Sequence, residues 1–188
     1  MIPVGYQYKK VKRGADPVWQ PDNVKAVYSV SGCISGAFTD YIHYWKHNDF
    51  WFFDTPVVME EIAVSESLNL SEMTLFYYEI HKDEYNDETH RWEPIQFERV
   101  VAKPPNVIPP KEKQLEGFDV VSYSQRTDLE CSPLSCNALC KEIPVNQYCL
   151  FDSFEEAENA VTRGAFTYPN CEPGPYRIFA VYTVLRFE

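Results

Sequence analysis

The sequence predicts an α+β protein built from two related strand–helix–strand halves, and three observations carry that reading. Residues 50–82 run FWFFD, TPVVMEEIAVSES, a short polar break and TLFYYEIHK: an apolar strand, a capped helix, and a strand of aromatic and β-branched residues. The same order returns later as YCLFD, SFEEAENAVTRG, a longer break and RIFAVYTVLR. Phe52, Phe53 and Asp54 match Leu150, Phe151 and Asp152, and Cys33 precedes the first unit by the distance at which Cys131 precedes the second. Between the units lies KPPNVIPPKEK, whose four prolines make an extended, stiff spacer. The expected organisation is a first half with an N-terminal arm over residues 1–102, a Pro-rich linker over 103–116 and a second half over 117–188, related by internal duplication.

Taken in order, residues 1–26 read as a polar, irregular arm, with Lys9, Lys10, Lys12 and Arg13 as a solvated basic cluster. Residues 24–30 read as the first strand. Phe38, Tyr41, Ile42 and Trp45 fall at i, i+3, i+4 and i+7, which predicts an amphipathic helix with an aromatic face toward the core. Thr55 is a good N-cap and Pro56 suits the first helical position, where its missing N–H is not needed. Acids in the early turns of both main helices suit the positive end of the helix dipole. Asp83, Glu84, Asp87 and Glu88 form an acidic patch before Trp92, in a hairpin whose second strand holds Ile95 and Phe97. FDVVSYS, from Phe118, predicts a strand with the role of residues 24–30. Ser132 and Pro133 read as a cap and first-turn pair. Cys136, Leu139, Cys140 and Ile143 lie at helical spacing, and Pro144 ends that helix. Ser153 with Glu156 makes a capping box, and the closing strand over 178–185 reads as central.

The chain has 188 residues, 45% hydrophobic and 15% aromatic, enough for a substantial core. Its formal charge of −11 repels phosphates, so nucleic acid is not an expected partner. The same charge favours a basic protein partner, steered by Asp83, Glu84, Asp87 and Glu88. No apolar run reaches membrane-spanning length, so no membrane partner is expected. The N-terminal stretch lacks the pattern of a signal peptide, and six cysteines without an export signal read as reduced thiols. Cytoplasmic localisation follows as an expectation.

The densest group of chemically useful side chains is Glu130, Cys131, Ser132, Ser135, Cys136 and Asn137. Thiols, hydroxyls and an amide at a helix start can bind an anion through backbone N–H groups, and a thiol there can act as a nucleophile. A nucleophile needs a base, and all four histidines lie in the first half. A Cys–His pair with His43 or His47 therefore has to form across the halves. Cys136 and Cys140 have the spacing to face one ion from a helix, but the paired C-x-x-C knuckles of structural zinc are absent. The sequence predicts no metal and no cofactor. It contains no dinucleotide fingerprint, P-loop, H-E-x-x-H or G-x-S-x-G. Asp54 and Asp152 read as strand-to-helix joints.

YSVSGC, WFFDTP, ECSPLSCNALC, EIPVNQYCLFDSFEEA and EPGPYRIFAVYTV together resemble a family of uncharacterised bacterial proteins. That resemblance implies no catalytic residues. A strand, a helix after FFD and a strand ending in Tyr78 and Glu79 also resemble the halves of ADP-ribosyltransferases. Tyr28, Ser29 and Val30 lack the arginine or histidine of that family's first strand. More broadly, an acidic, aromatic-rich chain of this size without catalytic motifs resembles bacterial immunity proteins. The functional expectation is a non-catalytic binding protein, an immunity or antitoxin-like partner of a basic protein. The alternative is an enzyme or small-ligand binder with its site around residues 130–137, where equivalent loops of the two halves meet.

Overall fold

Strand β8 (Tyr176–Arg186) holds the sheet together. It pairs antiparallel with β4 (Thr74–Ile80) along one edge and with β7 (Glu112–Ser122) along the other. β1 (Ile2–Lys9) flanks β4. The hairpin of β5 (Asp83–Asn86) and β6 (Arg91–Pro94) joins through a Tyr85–Tyr176 pair, completing a six-stranded antiparallel sheet. The computed structural model describes residues 1–14, 20–35, 38, 52–95, 106–123, 131–166 and 171–187. Among these, no helix is long and apolar enough to cross a membrane.

The α+β class holds, and both main helices form where their caps place them. In α2 (Pro56–Ser65) the Thr55 side chain accepts from Val57 N, and proline opens the first turn. In α4 (Phe154–Thr162) Ser153 accepts from Glu156 N while Glu156 reaches back to Asp152 N, closing the capping box. Only α4 carries acids in its first turn, since Glu60 and Glu61 of α2 fall later.

Several expectations are corrected. The N-terminal arm contains β1, buried along most of its length, and Lys9 is buried rather than solvated. Residues 24–30 form only β3 (Ala26–Val27), which pairs with β2 (Lys12–Arg13) in a separate ribbon. So short a strand does not fill the role expected of it, matching the strand from Phe118. Of the residues assigned to the aromatic helix only Phe38 lies within the described residues, where it is buried; Tyr41, Ile42 and Trp45 lie outside them. The acids at 83–84 lie in the first strand of their hairpin, and Trp92 lies in its second. β7 begins at Glu112, inside the stretch assigned to the linker.

The halves share one sheet, and the same local geometry occurs in each. β1 bulges at Gly5 and β7 at Gly117. Tyr6 exchanges two backbone hydrogen bonds with Phe53, and Phe118 exchanges two with Phe151. Gly5 pairs with Tyr78, Gly117 with Val181, and Tyr78 with Val181 at the seam between β4 and β8. Strand alternation then sorts the side chains. Tyr6 and Tyr77 pack under α2, while Val120, Tyr176 and Ile178 pack under α4, all on one face. The opposite face carries Val4, Tyr78, Val121, Phe179 and Val181. Lys9 and Asp119 share that second face by the same alternation, and the loops covering it carry the thiols.

Candidate thiol centre

A buried lysine and a buried aspartate build this site from below. The Lys9 ammonium donates to the backbone carbonyls of Ser29, Val30 and Ser31 at 2.7, 2.6 and 3.0 Å. Three acceptors on successive residues curl the YSVSGC loop around the cation. Asp119 ties that loop to the other. Its Oδ2 accepts from Val30 N at 2.8 Å and from the Ser29 hydroxyl at 3.3 Å. Its Oδ1 accepts from the Ser132 hydroxyl at 2.7 Å and Val120 N at 2.9 Å. A buried carboxylate is tolerable only when its lone pairs are satisfied, and four donors meet that requirement. Burial still pushes Asp119 up to about 6 and Lys9 down to about 7, against the hydrogen bonds and mutual attraction that favour their charged forms.

Above this pair the loops bring their sulfurs together. Cys33 Sγ lies 3.7 Å from Cys131 Sγ, across a separation of 98 residues. Cys136 joins them, so that all three sulfurs lie within 4.8 Å of one another. The Cys136 thiol donates to the Ser31 hydroxyl oxygen at 3.5 Å, and the Ser135 hydroxyl donates to that of Ser29 at 2.9 Å. Ser122 fixes Cys131 from beneath, its N–H and hydroxyl both donating to the Cys131 carbonyl. Cys33 is exposed, while Cys131 and Cys136 are half-buried. α1 (Gly32–Ser35) starts at the first loop, and α3 (Pro133–Cys136) lies in the second.

The predicted site residues divide accordingly. Cys131, Ser132, Ser135 and Cys136 all belong to this cluster. Asn137 ends α3, and its Oδ1 is buried with no hydrogen-bond partner among the described residues. Glu130, His43 and His47 lie outside the described residues. The expected Ser132 cap is corrected: α3 is a single turn, and the Ser132 hydroxyl turns inward to Asp119 instead of capping it. The expected helix through Cys136 and Cys140 is broken at Ala138, which takes a left-handed conformation at φ 58°. The reduced Cys140 thiol is hydrogen-bonded to that of Cys149.

The partner-facing acids change as well. Glu84 is buried, and its carboxylate takes the Arg177 guanidinium at 2.7 Å, so it does not face a partner. Arg177 in turn lies over the Tyr123 ring at 4.0 Å. Asp87 accepts from Gly174 N at 2.8 Å. Asp83 is half-buried and Glu88 is exposed. Glu79 pairs with Lys113 at 2.5 Å, on the sheet face away from the thiols.

Burial pushes the Cys131 and Cys136 thiols up, and neighbouring thiol groups push the same way. A nucleophilic cysteine needs the opposite shift. Clustered thiols whose charges repel are instead what a cation would relieve, since metal binding displaces thiol protons. A zinc ion about 2.3 Å from each sulfur in a tetrahedral site holds the sulfurs about 3.8 Å apart. The Cys33–Cys131 separation of 3.7 Å already matches that edge. Sequence inspection missed Cys33 as a site residue, although its placement relative to Cys131 in the two units was the available signal.

No known protein family matches this chain, and no curated protein or solved structure resembles it significantly.

Proposed function

We propose that the protein binds a soft metal ion, zinc or copper(I), through Cys33, Cys131 and Cys136. The observation that carries this is the convergence of three sulfurs to within 4.8 Å from two loops far apart in sequence. Thiolates select such ions over hard cations. Three protein donors would hold the ion and would leave it able to take water or an incoming group as a fourth ligand. Lys9 holds the Ser29–Ser31 carbonyls beneath the thiols, and Asp119 ties the two loops together. Keeping the three thiols reduced suits a cytoplasmic protein. Cobalt(II) added to the reduced protein tests the reading: a sulfur-to-cobalt charge-transfer band should grow to one equivalent and disappear when zinc is added. A spectrum showing only aquated cobalt contradicts it.

The site also gives meaning to an internal duplication. The matched bulges at Gly5 and Gly117, the matched bridges of Phe53 and Phe151, and the matched helices support descent of both halves from one unit. Equivalent residues touch each other only on a twofold axis. Tyr78 with Val181 and Cys33 with Cys131 are such pairs, so the axis runs through the seam of the sheet and out through the thiols.

A basic protein partner is the second reading, in keeping with an immunity-like role. The −11 charge favours it, as does the exposure of Glu88, Asp152, Glu155 and Glu156. Capture of one basic protein whose retention weakens steeply with salt, and weakens again in a Glu155→Gln/Glu156→Gln variant, supports it. Retention indifferent to both contradicts it.

A further inference from the structure

We infer that Cys33 and Cys131 form a reversible disulfide on exposure to a peroxide, and that this reaction releases the metal ion. The release half rests on the metal reading above; the disulfide half does not.

The six thiols are not equivalent. Cys33 alone is exposed, so peroxide reaches it first. Cys140, Cys149 and Cys171 are buried. Cys136 is held by its contacts to the Ser31 and Ser135 hydroxyls at 3.5 and 3.9 Å. Cys131 stands 3.7 Å from Cys33 with its sulfur directed at it. A disulfide needs about 2.05 Å between sulfurs, so closure asks for less than 2 Å of movement. Cys33 is exposed in the single turn of α1, where rotation of its side chain can supply that movement.

The chemistry balances. The Cys33 thiol loses its proton to solvent, and its sulfur attacks one peroxide oxygen. The O–O bond breaks and hydroxide leaves, giving a sulfenic acid. The Cys131 sulfur then attacks the Cys33 sulfur, the S–O bond breaks, and the departing hydroxide takes the Cys131 proton as water. Two thiols and one hydrogen peroxide become one disulfide and two waters, with two electrons passing from sulfur to peroxide. Two of the three metal donors are consumed, and Cys136 alone cannot retain the ion. A dithiol reductant restores the site.

The test uses the full chain, metal-free and zinc-loaded, with one equivalent of hydrogen peroxide. In the metal-free protein, titratable thiols measured after denaturation should fall from six to four. Peptide mapping should find a single bridge, Cys33 to Cys131. Another pairing, or stepwise over-oxidation of Cys33 without a bridge, overturns the disulfide. A Cys131→Ser chain should lose the bridge and accumulate sulfenic acid at Cys33, trapped by dimedone; a bridge from Cys33 to another thiol in that chain also overturns it. In the loaded protein, zinc captured by a chromogenic chelator should appear in step with the bridge and return on reduction. Bridge formation with zinc still bound overturns the release half alone. A reduced chain that never takes up zinc or copper(I) overturns the metal reading and leaves the disulfide result standing.

Discussion

Replacing Gly117 or Gly5 by alanine perturbs the feature on which both halves are built. Gly117 has φ +145° and Gly5 has φ +130°, conformations that residues with a side chain rarely adopt. Holding alanine there costs about 1–3 kcal/mol. Space is lacking too: a Cβ on Gly117 would lie 2.5 Å from the Phe151 carbonyl oxygen and 2.8 Å from Leu150 Cβ. A Cβ on Gly5 would lie 2.5 Å from the Phe53 oxygen and 2.8 Å from Phe52 Cβ. Neither neighbour is a flexible side-chain end, so the bridging segment must move. Each bridge carries two backbone hydrogen bonds, worth about 0.5–1.5 kcal/mol apiece when weakened. Subtracting about 0.4–1 kcal/mol for the stiffer unfolded chain leaves a loss of about 2–5 kcal/mol at each position. For a chain of this length that lowers Tm by about 5–15 °C. Urea unfolding of each variant at constant slope measures it. A loss under about 1 kcal/mol at either glycine refutes the steric reasoning. A large loss at Gly117 with almost none at Gly5 refutes their equivalence.

Three further outcomes follow from the buried charges. Glu84→Ala strands Arg177 in the core and should lower stability by about 3–5 kcal/mol in urea, against almost no effect for the exposed Glu88→Ala. Burial raises Asp119 from 3.8 to about 6. Between about pH 4 and 6 the folded chain therefore binds more protons than the unfolded chain, and this group's contribution to stability falls as pH rises. The urea midpoint of wild type relative to Asp119→Asn should fall across that window, and a flat difference contradicts the shift. Burial lowers Lys9 from 10.5 to about 7, so above pH 7 the unfolded chain binds the extra proton and this contribution rises with pH. Wild type should gain stability relative to Lys9→Met between about pH 7 and 10; a relative loss contradicts the assignment.

The parts of the fold that were legible are those fixed by local chemistry. The Thr55–Pro56 start and the Ser153–Glu156 box place both helices, because a cap is satisfied within its own turn. β4 and β8 declare themselves through aromatic and β-branched runs. β1 did not: Gly5 interrupts its apolar pattern and Lys9 ends it with a charge, and no local signal says that three carbonyls 20–22 residues away will solvate that ammonium. Glu84 looked like a surface acid because its partner, Arg177, is 93 residues distant. Two of the three donors of the thiol centre were legible in ECSPLSC. Its third donor was visible only as the equal placement of Cys33 and Cys131, which periodicity alone cannot turn into contact. The helix through Cys136 and Cys140 failed for a local reason, the left-handed turn at Ala138, that its apolar spacing did not reveal.

Zinc affinity under chelator competition, with Cys33, Cys131, Cys136 and Cys171 replaced in turn by serine, decides whether the three thiols hold an ion. One zinc should bind per reduced wild-type chain. Affinity should fall at least tenfold in Cys33→Ser, Cys131→Ser and Cys136→Ser, and be unchanged in Cys171→Ser. Binding should also tighten as pH rises, because the raised thiols of Cys131 and Cys136 must release protons to bind the ion. Wild-type protein that binds no zinc, or equal affinity across all four variants, contradicts the metal reading.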